Sequence, residues 1–150
     1  MENKICKLSF EKISTDAATP IYNYLSDSGF DLHTTENIQI LPLGRYLAPT
    51  GLKFDIPMGY EMQIRTKSGL ASNMGLIVLN SPGTIDSGYT GEVKVILYNS
   101  SQSLIKLEKG QKIAQACICP VMTGLSVELT QVDKIEEKER ASNGFGSTGN

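Results

Sequence analysis

Short apolar or alternating runs, each closed within a few positions by glycine or proline, recur along this 150-residue chain. Residues 4–10, 38–40, 51–56, 60–64 and 76–79 have this character, and residues 92–98, 104–107, 112–120 and 126–132 continue it. Pro42-Leu-Gly44, Pro57-Met-Gly59, Ser81-Pro-Gly83, Ser87-Gly88 and Lys109-Gly110 separate them. Proline removes a ladder donor and glycine supplies turn conformations, so such punctuation limits each run to a short strand. The pattern predicts an all-β sandwich or barrel. In Glu92-Val-Lys-Val-Ile-Leu-Tyr98, alternation gives way to a continuous apolar stretch, as in a strand that passes from half exposed to buried. The one helical candidate is Ser68-Gly-Leu-Ala-Ser-Asn-Met74, preceded by Thr66 and Lys67, with Thr66 and Ser68 as sources of capping oxygens. Residues 134–140 are charged and bury little, so they read as a solvated connector. No internal repeat or second domain is visible.

Charge and composition narrow the function. A net charge of −2 and a pI near 5.4 argue against a protein that wraps nucleic acid or coats an acidic membrane. Any polyanion must be held by a few placed cations. No apolar run approaches the roughly 20 residues of a membrane span, and the N-terminal residues lack a signal-peptide stretch, so a cytoplasmic protein is expected. Cys117 and Cys119 fall on one face of a strand and read as small buried hydrophobes, with Cys6 apart and no zinc-ligand spacing. His33 is the only histidine and lies in Asp31-Leu-His-Thr-Thr without a nucleophile pattern nearby; it reads as a polar strand position. The usual nucleophilic apparatus is missing.

Five segments hold chemistry beyond what a β-protein needs for folding. In Ser28-Gly-Phe-Asp-Leu32, Asp31 is either a strand-edge carboxylate or one that steadies metal-bound water beside phosphates. Arg65-Thr-Lys-Ser-Gly-Leu-Ala71 joins two cations, a hydroxyl and a helix start, which suits a phosphate chain and equally a basic surface turn. Residues 79–92 form the richest segment. Asn80 carries a donor and an acceptor, the turn leaves backbone groups free to read a flat ring, Asp86 is a candidate general base for water, and Tyr89 is an aromatic plate. Each of these residues also has a plain role in a turn. In Lys109-Gly-Gln-Lys-Ile-Ala-Gln115, the glutamine enters a buried strand and needs a structural or ligand partner. The last segment, Arg140-Ala-Ser-Asn-Gly-Phe-Gly-Ser-Thr-Gly-Asn150, combines a guanidinium, three glycines and the hydroxyls of Ser147 and Thr148 with a single large apolar group, Phe145.

In this order the five segments resemble the homotrimeric dUTPase family, deoxyuridine 5′-triphosphate nucleotidohydrolases. The most specific parts are Gly83-Thr-Ile-Asp-Ser-Gly-Tyr-Thr-Gly-Glu92 and Gly144-Phe-Gly-Ser-Thr-Gly149, and the resemblance runs from Ser26 to Gly149. It implies an all-β, distorted jelly-roll-like β-barrel of the β-clip type, spanning residues 1–134, with one short helix. Residues 135–150 would be a connector and a flexible C-terminal arm that closes an active site. Three copies would assemble about an axis with sites shared between subunits, and neither nucleic acid nor a membrane would be a direct partner.

The reaction implied is dUTP plus water giving dUMP and pyrophosphate, which limits uracil incorporation into DNA and supplies dUMP for dTMP synthesis. Asp86 matches the aspartate that activates water for in-line attack on the α-phosphorus. Asn80 with Gly83, Thr84 and Ile85 matches the uracil-reading hairpin, Tyr89 the plate that packs on deoxyribose and excludes a 2′-hydroxyl, and Phe145 the residue that stacks on uracil. Arg65, Lys67, Ser68, Gly69 and Gln115 match phosphate ligands, as do Arg140, Gly146, Ser147 and Thr148 of the arm. Mg2+ would ride on the phosphates and water, with Asp31 reaching it through water. This chain departs from the family pattern at Lys67, where arginine is usual, and at Ala141 and Asn143, where glycine is common. The rival readings are a dCTP deaminase-type or bifunctional nucleotide enzyme, and a regulatory binding protein on the same fold; the intact Asp86-Ser-Gly-Tyr89 favours hydrolysis.

Overall fold

The alternation of buried and exposed side chains sets most of the strands. The computed structural model describes residues 5–143, and among them are eleven strands and one helix. In chain order they are β1 (Ser9–Lys12), β2 (Phe30–His33), β3 (Ile38–Ile40), β4 (Arg45–Pro49), β5 (Leu52–Asp55) and β6 (Tyr60–Arg65). After α1 (Ser68–Met74) come β7 (Leu76–Val78), β8 (Gly83–Ile85), β9 (Lys94–Asn99), β10 (Ile105–Leu107) and β11 (Lys112–Pro120). Every strand pair is antiparallel. A four-stranded sheet has the order β2-β11-β6-β8 and a three-stranded one β4-β9-β7, with the ribbons β1-β5 and β10-β3 beside them. Among the described residues these sheets do not join into one closed hydrogen-bonded barrel. They enclose a single apolar cluster that includes Leu32, Ile40, Met62, Leu76, Leu97, Leu107 and Ile113. Fully burying one such side chain contributes about 1.5–3 kcal/mol.

Several expectations shift. β4 and β8 are strands that the sequence pattern left out, β8 occupying positions read as part of a turn, and β2 takes up the strand positions read for Asp31 and His33. The run at 126–132 forms no strand: Val127, Leu129 and Val132 are exposed, and among the described residues no strand pairs with them. A two-residue apolar period stabilises a strand only where a second surface covers one face and pairs the backbone. Helix α1 has the expected bounds but not the expected cap. Lys67 is its N-cap without a side-chain hydrogen bond, and the Thr66 hydroxyl accepts the Val78 N–H instead, at 2.9 Å. At the other end Gly75 takes φ 68 and donates its N–H to Ala71 O at 3.0 Å, which stops the helix and turns the chain into β7.

Asn99, fully buried at the end of β9, ties three segments together. Its Nδ2 donates to Ile40 O at 2.9 Å, Leu41 O at 3.2 Å and Ser103 O at 2.7 Å, and its Oδ1 accepts from the N–H and hydroxyl of Ser101. An alanine there takes the amide donor from buried Ile40 O and the acceptor from Ser101, while Leu41 O keeps the Gly44 N–H and Ser103 O the Ser101 hydroxyl. Asn99→Ala is expected to lower unfolding free energy by about 3 kcal/mol, measured by urea denaturation at fixed protein concentration. A loss within the range of an exposed substitution would contradict this role.

Candidate active site

β11 pairs with β2 on one side and β6 on the other, with Gln115 opposite both Asp31 and Arg65. One row across three strands therefore carries a carboxylate, an amide and a guanidinium. Their neighbours along the strands, Phe30, Leu32, Ala114, Ala116 and Ile64, are buried in the core. Alternation then turns the polar row to the opposite face. Gln115 Nε2 donates to Thr66 O at 3.0 Å, so the buried-strand glutamine finds a structural partner that also fixes the approach to α1. Arg65 lies along the same face, its guanidinium donating to Gln63 Oε1 at 2.7 and 3.1 Å and to Cys119 Sγ at 3.5 Å. Cys119 is thus half-buried beside a cation, whereas Cys117 is buried as expected and burial raises its thiol pKa.

Asp31 is 6 % exposed and saturated with donors. Lys67 Nζ meets Oδ1, Lys112 Nζ meets Oδ2 at 2.6 Å, and Asn23 Nδ2 donates to Oδ2 at 3.1 Å. Burial pushes the carboxyl pKa up, but these donors outweigh it and lower it from 3.8 to about 2. Lys112 and Asn23 were not singled out in the sequence. Lys112 stands three positions before Gln115, which on a regular strand puts it on the opposite face. The register slips between Lys112 and Ala114, so Lys112 pairs with His33 and joins the polar face. Burial lowers the pKa of His33, which occupies the strand position expected for it. Ser68 and Gly69 are exposed in the first turn of α1, next to Lys67.

A second set of residues lines a cleft of about 350 Å³ between the β8 hairpin and the β4-β9-β7 sheet. Asn80, Gly83, Thr84, Ile85, Asp86 and Tyr89 all reach it. Leu47, Lys94 and Ile96 complete its walls and carry no motif that marks them in the sequence. β8 is an edge strand, so one side of its backbone is free of sheet partners, as a ring-reading element requires. Asn80 packs directly on Gly83, where a Cβ would stand 3.0 Å from its amide nitrogen. Asp86 is exposed at the mouth.

The two sets do not meet within one chain. None of Asp31, Arg65, Lys67, Ser68 or Gln115 lines the cleft. Ile85 pairs with Met62, so Asp86 lies level with Glu61, four residues from Arg65. At about 3.3 Å per residue the offset is roughly 13 Å. Arg140 is exposed, its Nε donates to Asn143 O at 2.9 Å, and it does not line the cleft. Ala141 takes φ 42, a left-handed conformation that glycine adopts without strain and alanine does not. Phe145, Gly146, Ser147 and Thr148 lie outside the described residues.

A cation-and-amide row on one face and a ring-sized cleft with an exposed carboxylate define a class: β-proteins that bind a small phosphorylated ligand with a flat end. Comparison with known proteins narrows it. A dUTPase family model matches residues 15–149. The chain is 47% identical over 143 residues to a deoxyuridine 5′-triphosphate nucleotidohydrolase of Nautilia profundicola, covering 95% of this chain and 99% of the relative. For the one of Hydrogenobaculum sp. the values are 46% over 144 residues, 95% and 98%. Among solved structures it is similar to the Staphylococcus bacteriophage 80alpha dUTPase with dUPNHPP, at 27% identity and a TM-score of 0.86, covering 95% and 98% of the two chains. It is also similar, at 25% identity and a TM-score of 0.77 with 85% and 97% covered, to a mutant dUTPase of phage phi11 of S. aureus described with a coordinated structural Mg(II) ion. The chain belongs to the dUTPase family.

The Asp31 network makes stability depend on acid. The carboxyl is held near 2 in the folded state against 3.8 ordinarily, so its contribution is complete above about pH 4 and is lost as pH falls through 2. That difference corresponds to about 2 kcal/mol. Between pH 5 and pH 2 the wild type should lose about that much more than Asp31→Asn, followed by urea midpoints. Equal acid slopes in the two proteins would remove Asp31 from the account.

Proposed function

We propose that this protein hydrolyses dUTP to dUMP and pyrophosphate, and that the observation carrying the residue assignments is the grouping of Asn80, Asp86 and Tyr89 around one ring-sized cleft. Asn80 and the free edge of β8 offer donors and acceptors to the rim of uracil. Cytosine, with a donor where uracil has an acceptor, would leave buried groups unpaired. Tyr89 stands at the sugar as a plate that leaves no room for a 2′-hydroxyl. Asp86 takes a proton from water as its oxygen bonds to the α-phosphorus, and the bond to the bridging oxygen breaks to release pyrophosphate. A base acting this way contributes about 10²–10⁴-fold. Arg65, Lys67, Ser68, Gly69 and Gln115 hold the phosphates, and Arg140 with Gly146, Ser147 and Thr148 would cover them while Phe145 lies on the uracil. We assign residues 135–150 to that covering arm.

The row at Asp31 fits Mg2+ carried in by the phosphates. Among the described residues no three carboxylate, histidine or cysteine groups gather to hold an ion by themselves, while Asp31 offers one carboxylate beside the phosphate cations. Bound there, the ion would neutralise phosphate charge. Asp31 would hold one of its waters, exchanging Lys67, which is then free for a phosphate oxygen.

The separation of the cleft from the cation row supports a site completed by another copy of this chain, assembled as a trimer. Asp86 and Tyr89 would come from one subunit and the row from its neighbour. The exposed apolar side chains Leu125, Val127, Leu129, Val132 and Ile135 support burial against such a neighbour. Among the described residues no helix is long and apolar enough to cross a membrane.

Two experiments test this reading. With dUTP in ¹⁸O-water, label should enter dUMP, and Asp86→Asn should slow turnover by about 10²-fold or more while dUTP still binds; label in pyrophosphate would overturn the in-line route. Co-refolding Asp86→Asn with Lys67→Met, each inactive alone, should restore about a quarter of wild-type activity, because half of each contributing surface is intact. No recovery in a mixed oligomer would place the whole site within one chain.

A further inference from the structure

The loop from Asp86 to Glu92 contains two glycines with different reasons to be there. Gly88 has open space around it, and a Cβ would meet nothing within 4 Å. At Gly91 a Cβ would stand 2.6 Å from Tyr89 Oη and 2.7 Å from Cζ. Neither backbone is left-handed, so conformation alone does not demand glycine at 91. The ring of Tyr89 does: it lies back over its own loop, and its hydroxyl donates to Glu92 O at 2.9 Å. The loop is in turn fastened to the body. Glu92 Oε1 accepts the Gly51 N–H at 2.9 Å and Val93 N–H donates to Leu52 O at 2.8 Å, while within the loop Tyr89 N–H donates to Asp86 O at 3.0 Å.

We infer that Gly91 is a specificity-determining positioning residue: by lacking a side chain it lets the Tyr89 ring lie down and bond to Glu92, and so sets the plane against which the sugar is judged. The inference rests on the reading of Tyr89 as the sugar plate. An aromatic ring excludes one hydroxyl only if its plane is fixed to within a fraction of that group's size. Tyr89 is about half exposed, so no packed core fixes the plane. The floor at Gly91 and the hydroxyl tether do. Because the atoms in conflict are the mobile tip of the tyrosine, an added methyl lifts the ring and leaves the fold standing.

The test measures kcat/KM for dUTP and UTP in Gly91→Ala, Tyr89→Phe, Tyr89→Ala and the Gly91→Ala/Tyr89→Ala double variant. Gly91→Ala should keep the thermal midpoint and lower the dUTP/UTP ratio by at least about tenfold, the scale of one methyl of misfit in a close pocket. Most of that change should be a gain on UTP. Tyr89→Phe, which cuts the tether alone, should lower the ratio by a smaller factor. In the Tyr89→Ala background, adding Gly91→Ala should change the ratio no further, since its effect passes through the ring. An unchanged ratio in Gly91→Ala, or additive effects in the double variant, overturns the inference. If Gly91→Ala does not fold, Tyr89→Phe decides: an unaltered ratio overturns it. If Tyr89→Ala itself keeps the wild-type ratio, the sugar-plate reading fails, a result distinct from failure of Gly91 alone.

Discussion

The register of β11 is the constraint on which the polar half of the molecule depends. Ala114 and Ala116 point into the core and Gln115 points away from it. A slip by one residue against β2 and β6 would bury the amide and expose both alanines. The same register sets Gln115 between Asp31 and Arg65, and it lets the Gln115 side chain hold Thr66 O, the last carbonyl before the N-cap of α1. Core packing and the placement of the polar row are therefore specified by one set of hydrogen bonds.

Within that row, charge is balanced by arrangement. Two ammonium groups share a single carboxylate of low exposure, which leaves the cluster with one net positive charge. Such a cluster tolerates burial better than a lone cation and can give up one ammonium to an incoming anion without stranding Asp31, because Lys112 and Asn23 remain. In the proposed function an acidic chain would hold a polyanion in this way, with local cations and no general positive field. The cleft is built on a short edge strand and a loop tethered at Gly51. Rigidity there comes from hydrogen bonds to the body and from the missing side chain at Gly91.

Much of this was legible from residue order. β3, α1 and β11 have the bounds that their apolar period and punctuation imply, and the residues drawn from Asn80-to-Tyr89 do converge on one cleft. The strands at 30–33, 45–49 and 83–85 were less visible, each for a local reason. Phe-Asp-Leu-His shows little more than one cycle of alternation, Arg45-Tyr-Leu-Ala-Pro49 ends in proline, and Gly-Thr-Ile is a strand only because β6 lies beside it. The run at 126–132 has the converse fault, a strand's pattern with nothing among the described residues to pair it.

The sequence by itself determined the all-β class, the family, and the chemical kind of the groups it singled out, because these depend on residue type and near-neighbour spacing. The tertiary structure alone decided which groups meet. Lys112 reaches Asp31 only because one extra residue is accommodated between Lys112 and Ala114, reversing the face on which it falls. Likewise, Asp86 and Lys67 are 19 positions apart in sequence and still face different places, since antiparallel pairing of β8 on β6 sends Asp86 toward the Tyr60 end of that strand while Lys67 leaves from the other. Spacing along a chain fixes neither, because both are set by the partner strand.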